Sequence, residues 1–497
     1  MDVSEQRKAG LSPAKLALLE KRLRGESGGQ EGAQAAPERL PRLVADPERR
    51  FEPFPTTALQ RQMRLALEEG RGLEGLAPYL FFETEKKGLD LEVFERSFRE
   101  LLARHDVLRL EVSCAESQRC LPEPRGGEIA VLDLEGLPAL EQEERLTELR
   151  RHFSSAPASA GVGGSLLEIR AVRLDGERTR LFLGFSLLGF DLPSLEFLVQ
   201  QWRWLYEHPG QEPLWLAATF RDYQLAAMAF ETHSLARRSQ EYWRERLPAL
   251  ADPPALAPGV DPLRLSAARS VRLSSVLPRQ VWLGLREQAV AAGLTPSSLL
   301  LSCLAEVIAA QTGQERMSFG STLFARLPLA PEINTLLGPL ATLVLSEVDN
   351  RGGGSFLERA KRHQAQLWKD LEHAHAHVPT VNRELGGAGW AGGTAWPPVV
   401  FTSALAHFDE AGDVPPSGWL GERHTVLHQG PGKGLELQAL LDDGQLMLSW
   451  DVVVDWLGLS SARNLAADFE MLLTALSVGP GHWQRQWNSP LPLGGSA

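Results

Sequence analysis

The stretch Leu181–Tyr206, LFLGFSLLGFDLPSLEFLVQQWRWLY, decides how the surrounding chain folds. Its first residues place an apolar side chain at every second position, which is the period of a strand. Its last part places apolar side chains at helical spacing and predicts a helix with one buried face. Asp191 lies between the two parts, two residues before Pro193, which suits a first helical turn. The pattern therefore predicts a strand, a tight turn and a helix capped by Asp191.

The predicted strand is the second arm of a hairpin. Leu167–Leu174 and Arg178–Leu187 flank Asp175-Gly176, which is a typical hairpin turn. Strands and helices alternate along the rest of the chain on both sides of a Pro-rich segment, ADPPALAPGVDP. Two halves of mixed content around such a connector predict an α+β protein with two lobes.

The predicted lobes divide the chain into five parts. They are a short helix with a flexible linker at 1–47 (the helix at 11–25), an N-terminal lobe at 48–250, a connector at 251–262, a C-terminal lobe at 263–480 and a tail at 481–497. The linker is rich in Gly, Gln, Glu and Ala, a composition that does not support a packed core. The first part is a candidate docking element for another subunit.

Composition excludes several classes of protein. The 497 residues carry a net charge of -12, so no basic surplus exists to bind nucleic acid. No apolar run is long enough to cross a membrane, and the N-terminus lacks the apolar segment of a secretory signal. Three cysteines without metal-ligand spacing predict neither a disulfide framework nor a zinc site, so we expect a reducing cytoplasm.

A series of motifs follows the order of one known family. The motifs are Phe54-Pro55-x-Thr57-x-Leu59-Gln60, Arg104-His105-Asp106-Val107-Leu108-Arg109, Phe220-Arg221-Asp222-Tyr223, Tyr242-Trp243, Thr322-Leu323-Phe324-x-Arg326-Leu327-Pro328, Val399-Val400-Phe401-Thr402-Ser403 and Trp450-Asp451. Jointly, over roughly residues 50–480, the chain resembles the condensation superfamily of nonribosomal peptide synthetases. It is most similar to the heterocyclisation branch.

The resemblance implies a chloramphenicol-acetyltransferase-like fold, with two lobes in a V and a central tunnel. Carrier proteins would insert phosphopantetheine arms from opposite ends, so no cofactor of the chain's own is expected. An acyl or peptidyl thioester and a Cys, Ser or Thr thioester would meet in the tunnel. The branch forms the amide, adds the side chain to the new carbonyl and removes water, which gives a thiazoline or oxazoline. The implied partners are carrier proteins or neighbouring synthetase modules.

The chain departs from the family at the turn before the quoted helix. Ordinary condensation domains have His-His-x-x-x-Asp-Gly there, and the heterocyclisation branch has Asp-x-x-x-x-Asp-x-x-Ser. This chain keeps the second Asp as Asp191 and the Ser as Ser194, but Ser186 replaces the first Asp. Leu187 stands at the position of the catalytic His.

The loop after Thr322 departs from the family as well. The usual Asn-Asp is Asn334-Thr335, and Pro339 and Ala341 lie in a segment that is usually Gly-Asp-Phe-Thr-Ser. Residues of these two motifs are predicted to line the tunnel or to support it structurally: Ser186, Asp191, Ser194, Arg326 and Asn334. For Asp191 the structural role, as a helix cap or the partner of an Arg, is the favoured one.

The resemblance also points to a catalytic pair. The family's catalytic Thr is retained as Thr402, and its catalytic Asp is Glu436 here. Glu436 and Gln438 alternate with two leucines, so both point to one face of their strand. If that face lines the tunnel, Glu436 is the acid or base of the reaction, Thr402 orients it and Gln438 lies beside them. The alternatives are a buried strand Thr at 402 and a solvated strand residue at 436.

A run of histidines, His373, His375 and His377, resembles a metal-binding tract. On a helix, however, a spacing of two spreads the side chains around the surface, so no metal is predicted.

Three functions remain open at the level of sequence. The first is an enzyme of the heterocyclisation type. Proximity in a water-poor tunnel supplies about 7–11 kcal/mol, whereas a lost general base costs about 10²–10⁴-fold, so the missing His does not exclude condensation. The second is a binding module that has lost catalysis and docks carrier proteins or recruits a tailoring enzyme. The third is an acyltransferase with a soluble acceptor.

Overall fold

A computed structural model of the chain describes residues 39–68, 78–124, 127–154, 166–211, 216–257, 269–393, 397–405, 416–430, 433–442 and 444–485. The helix predicted at 11–25, part of the predicted connector and most of the predicted tail lie outside these residues.

The described residues form alternating strands and helices. The strands are β1 (Phe54–Pro55), β2 (Tyr79–Lys87), β3 (Leu110–Val112), β4 (Ser117–Cys120), β5 (Ala130–Asp133), β6 (Leu167–Leu174), β7 (Arg178–Ser186), β8 (Ser270–Leu277), β9 (Arg316–Leu323), β10 (Thr342–Asp349), β11 (Val399–Ser403), β12 (Glu422–Gln429), β13 (Leu435–Asp442) and β14 (Gln445–Val453). The α-helices are α1 (Ala58–Glu68), α2 (Leu91–Arg104), α3 (Ala139–Ser154), α4 (Leu192–Glu207), α5 (Phe220–Phe230), α6 (Ser234–Arg246), α7 (Arg279–Ala292), α8 (Pro296–Thr312), α9 (Phe356–Glu372), α10 (Val378–Leu385), α11 (Val454–Leu457), α12 (Leu459–Val478) and α13 (Pro480–Trp483).

The first half is built on a five-stranded sheet in the order β12-β2-β7-β6-β5. The predicted hairpin is confirmed as β6 and β7, which pair antiparallel from Leu174 opposite Arg178. The predicted turn and helix follow. Asp191 caps α4, and its Oδ1 accepts a hydrogen bond from the Ser194 backbone N–H at 2.9 Å. A buried sheet strand therefore leads directly into a capped core helix.

Helices α2 and α4 of the first half meet through aromatic side chains. The Trp202 ring stacks on Phe94 and Phe98, with ring centroids 4.2 and 5.0 Å apart. Its indole Nε1–H donates to Ser97 Oγ at 3.0 Å, so the one polar atom of this buried side chain is satisfied. Trp202 thus fixes α4, and with it the turn at Asp191, against the rest of the lobe.

The second half is built on a six-stranded sheet in the order β10-β9-β11-β13-β14-β8. Strand β11 lies in the middle and pairs parallel with both β9 and β13. The predicted hairpin of the last two core strands is confirmed as β13 and β14. Helices α7, α8 and α12 bury their apolar faces on this sheet, in one core that includes Trp282, Leu304 and Phe469. The α+β architecture predicted from the sequence is therefore confirmed.

One strand crosses from the second half into the first. Strand β12 comes late in the chain, yet it pairs antiparallel with β2 at the edge of the first-half sheet, with His428 opposite Leu80. The sequence predicts one continuous C-terminal lobe at 263–480, which would include this segment. The crossover ties the halves together and brings His428 beside the second-half strands.

No single helix in the described part of the chain is both long enough and apolar enough to cross a membrane. Only α7 and α8 taken together, bent by 100° at their junction, have the length and composition of a span.

Candidate active site

A cavity of about 170 Å³ lies between the two halves, and both contribute to its walls. The first-half wall is largely apolar and includes Met63, Leu187 and Phe190. The second-half wall carries most of the polar groups: Arg272, Ser274, Thr322, Thr402, His428, Lys433, Glu436, Gln438 and Ser449. The cavity therefore places an apolar surface opposite a floor that can exchange protons and hydrogen bonds.

The floor centres on Thr402 and Glu436, which neighbouring parallel strands bring together. Thr402 Oγ1 donates to Glu436 Oε1 at 2.5 Å, and the hydroxyl oxygens of Thr402 and Thr322 are 2.8 Å apart. Both Thr402 and Glu436 are buried, with 5% and 2% of their surface exposed. The alternative of a solvated Glu436 is therefore wrong, because β13 is an inner strand whose polar face turns toward the cavity.

Two cationic side chains face the Glu436 carboxylate. Lys433 Nζ donates to Glu436 Oε2 at 2.7 Å, and His428 Nδ1 lies 3.3 Å from the same oxygen. Burial alone raises the pKa of the Glu436 carboxyl, but Lys433 and His428 outweigh it and hold that pKa well below its usual range. Glu436 is therefore an anion at neutral pH. In the resting site it can accept a proton, whereas the sequence left open that it donates one.

A second carboxylate stands behind the first. Asp451 accepts two hydrogen bonds from Arg272, at 2.7 Å from Nε and 2.6 Å from Nη2. Arg272 also donates to Gln438 Oε1 at 2.9 Å. Burial raises the pKa of the Asp451 carboxyl, but Arg272 and His428 outweigh it and lower that pKa. The floor is thus a connected network of charges, in which Gln438 lies where the alternation of β13 predicted.

The same groups answer the question of a metal. His428, Glu436 and Asp451 offer one ligand atom each within 4.8 Å of one another. Arg272 and Lys433 already neutralise both carboxylates, and a divalent cation there would meet two fixed positive charges. The arrangement fits an ion-pair network and not a metal centre.

A clamp of Asp191, Ser194 and Arg326 joins α4 to the loop after β9. Arg326 Nη2 donates to Asp191 Oδ1 at 3.2 Å and to Ser194 Oγ at 3.0 Å. Ser194 Oγ in turn donates to the Gly338 carbonyl at 2.8 Å, in the loop before β10. The Arg326 and Asp191 side chains are only 3% and 2% exposed. The structure thus gives Asp191 the two structural roles that the sequence favoured, helix cap and partner of an Arg.

Comparison with known proteins identifies the family to which this fold belongs. The family model described as "Condensation domain" matches residues 79–387. Phenyloxazoline synthase MbtB of Mycobacterium tuberculosis (strain ATCC 25618 / H37Rv) is 30% identical over 412 residues, which cover 81% of this chain. This chain belongs to the condensation-domain family. Its relatives include Pyochelin synthetase PchF of Pseudomonas aeruginosa PAO1, 28% identical over 443 residues and 88% of the chain.

Solved structures place the domain in the heterocyclisation branch. The EpoB cyclization-docking bidomain from Sorangium cellulosum superimposes on this chain with a TM-score of 0.82 at 30% sequence identity. The match covers 96% of this chain and 94% of the EpoB chain. The first condensation domain of the calcium-dependent antibiotic synthetase shares the fold, with a TM-score of 0.70 at 17% identity. This condensation domain spans only 28% of the length of MbtB and 24% of PchF.

The remaining predicted residues fall outside the cavity. Ser186 is buried at the end of β7, where its Oγ accepts from the Leu188 backbone N–H at 3.3 Å. Asn334 lies in a single 3-10 turn, is exposed and is not among the residues that line the cavity. A tunnel role for Asn334 therefore finds no support in this cavity.

The histidine run does not lie on one helix, contrary to the prediction. Helix α9 ends at Glu372, and His377 precedes α10. The His373 ring stacks on Tyr242, whereas His377 Nδ1 lies 2.8 Å from Thr380 Oγ1. The residues are separated by a turn and contact different neighbours. That no metal binds there stays a prediction, and its reason is now that His373 and His377 contact different residues on either side of a turn.

His428, Lys433 and Arg272 are site residues that sequence reasoning did not single out. Lys433 precedes Glu436 by three residues, which is a usable signal for a local ion pair. Arg272 faces Asp451 through the register of β8 and β14, and His428 reaches the floor through the crossover strand. Neither of those two contacts has a local signature, because the partners are far apart along the chain.

Gly434 offers a test of how tightly the floor is packed. A Cβ at this position would lie 2.3 Å from Trp456 Cε3, so Gly434→Ala should destabilise the domain by about 1–3 kcal/mol through overpacking. Urea unfolding measures the change. Gly387→Ala, where a Cβ meets no atom within 4 Å, is the matched control. Equal midpoints for both variants would contradict the packing of this loop.

Proposed function

We propose that this condensation domain joins two carrier-bound thioesters and then cyclises the product. The donor is an acyl or peptidyl thioester, and the acceptor is a Cys, Ser or Thr thioester whose side chain closes a thiazoline or oxazoline. The observation that carries the proposal is the Thr402–Glu436 pair at the floor of a cavity shared by both halves. An anionic carboxylate that a hydroxyl orients at such a place is suited to accept protons from the attacking groups.

The cavity walls support the same function. Apolar side chains on the first-half wall exclude water, which protects a thioester from hydrolysis and strengthens the charges of the floor. The relatives include a phenyloxazoline synthase and a cyclization-docking bidomain, whose names fit ring formation. In this proposal the phosphopantetheine arms belong to the partner carriers, and the chain contributes only side chains.

A binding module without catalysis is the second candidate function. Leu187, Pro339 and Ala341 all line the cavity, and none carries a polar side-chain atom. At the position of the usual catalytic His the chain therefore offers no base. In this alternative the fold docks carrier proteins, and the charged floor is retained for stability.

Reconstitution with two loaded carriers separates the candidates. One carrier bears a benzoyl thioester and the other a cysteinyl thioester, and intact-protein mass spectrometry follows the acceptor carrier. Enzyme function predicts transfer of the acyl group followed by loss of one water. An alanyl acceptor is the control, because it can form the amide but has no thiol or hydroxyl to close the ring. Carriers that bind without any transfer would favour the binding module.

Residues 1–47 are proposed as a docking element for an upstream subunit. The whole EpoB cyclization-docking bidomain covers 96% of this chain, and the presence of a docking part in that protein supports the idea. Deleting residues 1–47 should weaken the affinity for the subunit that carries the donor, as measured by titration calorimetry. Unchanged affinity would dispose of the docking role.

A further inference from the structure

His428 lines the same cavity as the Thr402–Glu436 pair but has no role in the proposed function described above. It lies on the crossover strand β12, and its side chain lines the cavity with 12% of its surface exposed. Its Nδ1 lies 3.3 Å from Glu436 Oε2 and 3.3 Å from Asp451 Oδ2. Among the described residues no hydrogen bond is made by Nε2, so this nitrogen remains available to a bound molecule.

Charged groups from three directions face the His428 ring. The carboxylates of Glu436 on β13 and Asp451 on β14 are nearest, and Gln438 Nε2 lies 3.2 Å from Nδ1. Lys433 and Arg272 reach the same carboxylates from their other sides. Burial lowers the pKa of the His428 imidazole, but Glu436 and Asp451 outweigh it and raise that pKa above its ordinary value. The two carboxylates at Nδ1 therefore favour the protonated ring.

Ring formation needs a proton donor, and Glu436 is ionised in the resting site. After the side chain adds to the amide carbonyl, the oxygen on that carbon must leave, and a hydroxyl leaves readily only when it is protonated. Glu436 accepts a hydrogen bond from Lys433, and this contact favours the ionised carboxylate, which is a proton acceptor. A separate proton donor would leave Glu436 free to act as the proton acceptor of the dehydration.

We propose that the His428 imidazolium is that donor, with Glu436 as the proton acceptor of the same step; the inference rests on the proposed function. The C–O bond of the cyclic adduct breaks as the oxygen takes the Nε2 proton and leaves as water. The ring nitrogen loses its proton to Glu436 as the C=N double bond forms. His428 loses one proton in this step and Glu436 gains one, so proton exchange with water restores both groups.

Asp451 and Arg272 act as positioning residues in this scheme. Asp451 holds Nδ1–H together with Glu436, which turns the opposite ring nitrogen away from the carboxylates. Arg272 fixes Asp451 through two hydrogen bonds. Lys433 is the other cation beside Glu436 and therefore the competing proton donor.

The test uses a substrate that isolates the dehydration. An N-benzoyl-cysteinyl thioester on a carrier protein is supplied preformed, and mass spectrometry follows the loss of one water. His428→Gln should slow this loss by about 10²–10⁴-fold, the usual contribution of a general acid. His424→Gln, on the same strand and away from the cavity, is the matched control. Added imidazole should restore part of the rate to His428→Ala, which a purely structural role would not allow.

The pH profile gives an independent readout. The wild-type dehydration rate should fall as pH rises through the raised pKa of His428, because the acid form is lost. His428→Gln should lack this alkaline decline.

Three outcomes overturn the inference, and they differ from one another. Full dehydration by His428→Gln would show that the ring is not the donor. A large loss confined to Lys433→Met, with His428→Gln active, would transfer the role to Lys433. A wild type that neither condenses loaded carriers nor dehydrates the preformed amide would instead remove the proposed function itself.

Discussion

Replacing Glu436 with Gln should lower the rate of ring formation by about 10²–10⁴-fold, the range expected when a positioned general base is removed. Gln preserves the shape of the side chain but cannot accept the proton that the ring nitrogen releases. It also removes the negative charge that holds Lys433 and His428 in place. The measurement is single-turnover mass spectrometry on loaded carriers, in which the amide and the ring are separate products.

Two further variants make this expectation specific. Glu436→Asp restores the residue type of the family but shortens the side chain by one methylene, and a displacement near 1 Å can cost about 10²-fold. Its rate should therefore fall between those of Glu436→Gln and wild type. Thr402→Val keeps the carboxylate and removes the hydroxyl that contacts Oε1, so it reports on orientation alone. Ring formation by Glu436→Gln at the wild-type rate would contradict the assignment of Glu436 as the proton acceptor.

Replacing Arg326 with Met should destabilise the domain by about 3–5 kcal/mol, the cost of leaving one partner of a buried ion pair alone. Arg326 and Asp191 are almost fully buried where α4 meets the loop after β9. Without the guanidinium, the Asp191 carboxylate keeps, among the residues that the structure describes, only its hydrogen bond from the Ser194 backbone N–H. Urea unfolding, with the midpoint and slope compared, measures the loss.

A double-mutant cycle distinguishes the ion pair from general packing. Asp191→Asn combined with Arg326→Met should cost less than the sum of the two single changes, because neither charge is then left unpaired. Arg244→Met, in the exposed pair between Arg244 and Glu384, should change the midpoint little. Strict additivity in the cycle would mean that Asp191 and Arg326 do not interact in solution.

The parts of the fold that the sequence predicts well are those with local signals. Asp175-Gly176 marks the turn of the β6–β7 hairpin, and the Asp191 cap with Pro193 marks the start of α4. The alternation of Glu436 with leucines places its side chain on the floor, beside the Thr402 that the family motif indicates. In each case a few neighbouring residues carry the information.

The parts that the sequence does not reveal depend on distant pairing. Strand β12 carries Val426 and Leu427 side by side at a sheet edge, so it shows no clean alternation, and its partner β2 lies in the other half of the chain. Without that strand, His428 has no visible connection to Glu436 or Asp451. The protonation state of Glu436 is equally hidden, because it follows from cations that only the folded site assembles.

The central claim is that this domain forms rings at the Thr402–Glu436 floor. Intact-protein mass spectrometry of a cysteinyl carrier, after one turnover with a benzoyl-loaded donor carrier and the wild-type domain, tests it most directly. We expect an acceptor that has gained the benzoyl group and lost one water. An acceptor left unchanged, while both carriers bind the domain, would contradict it.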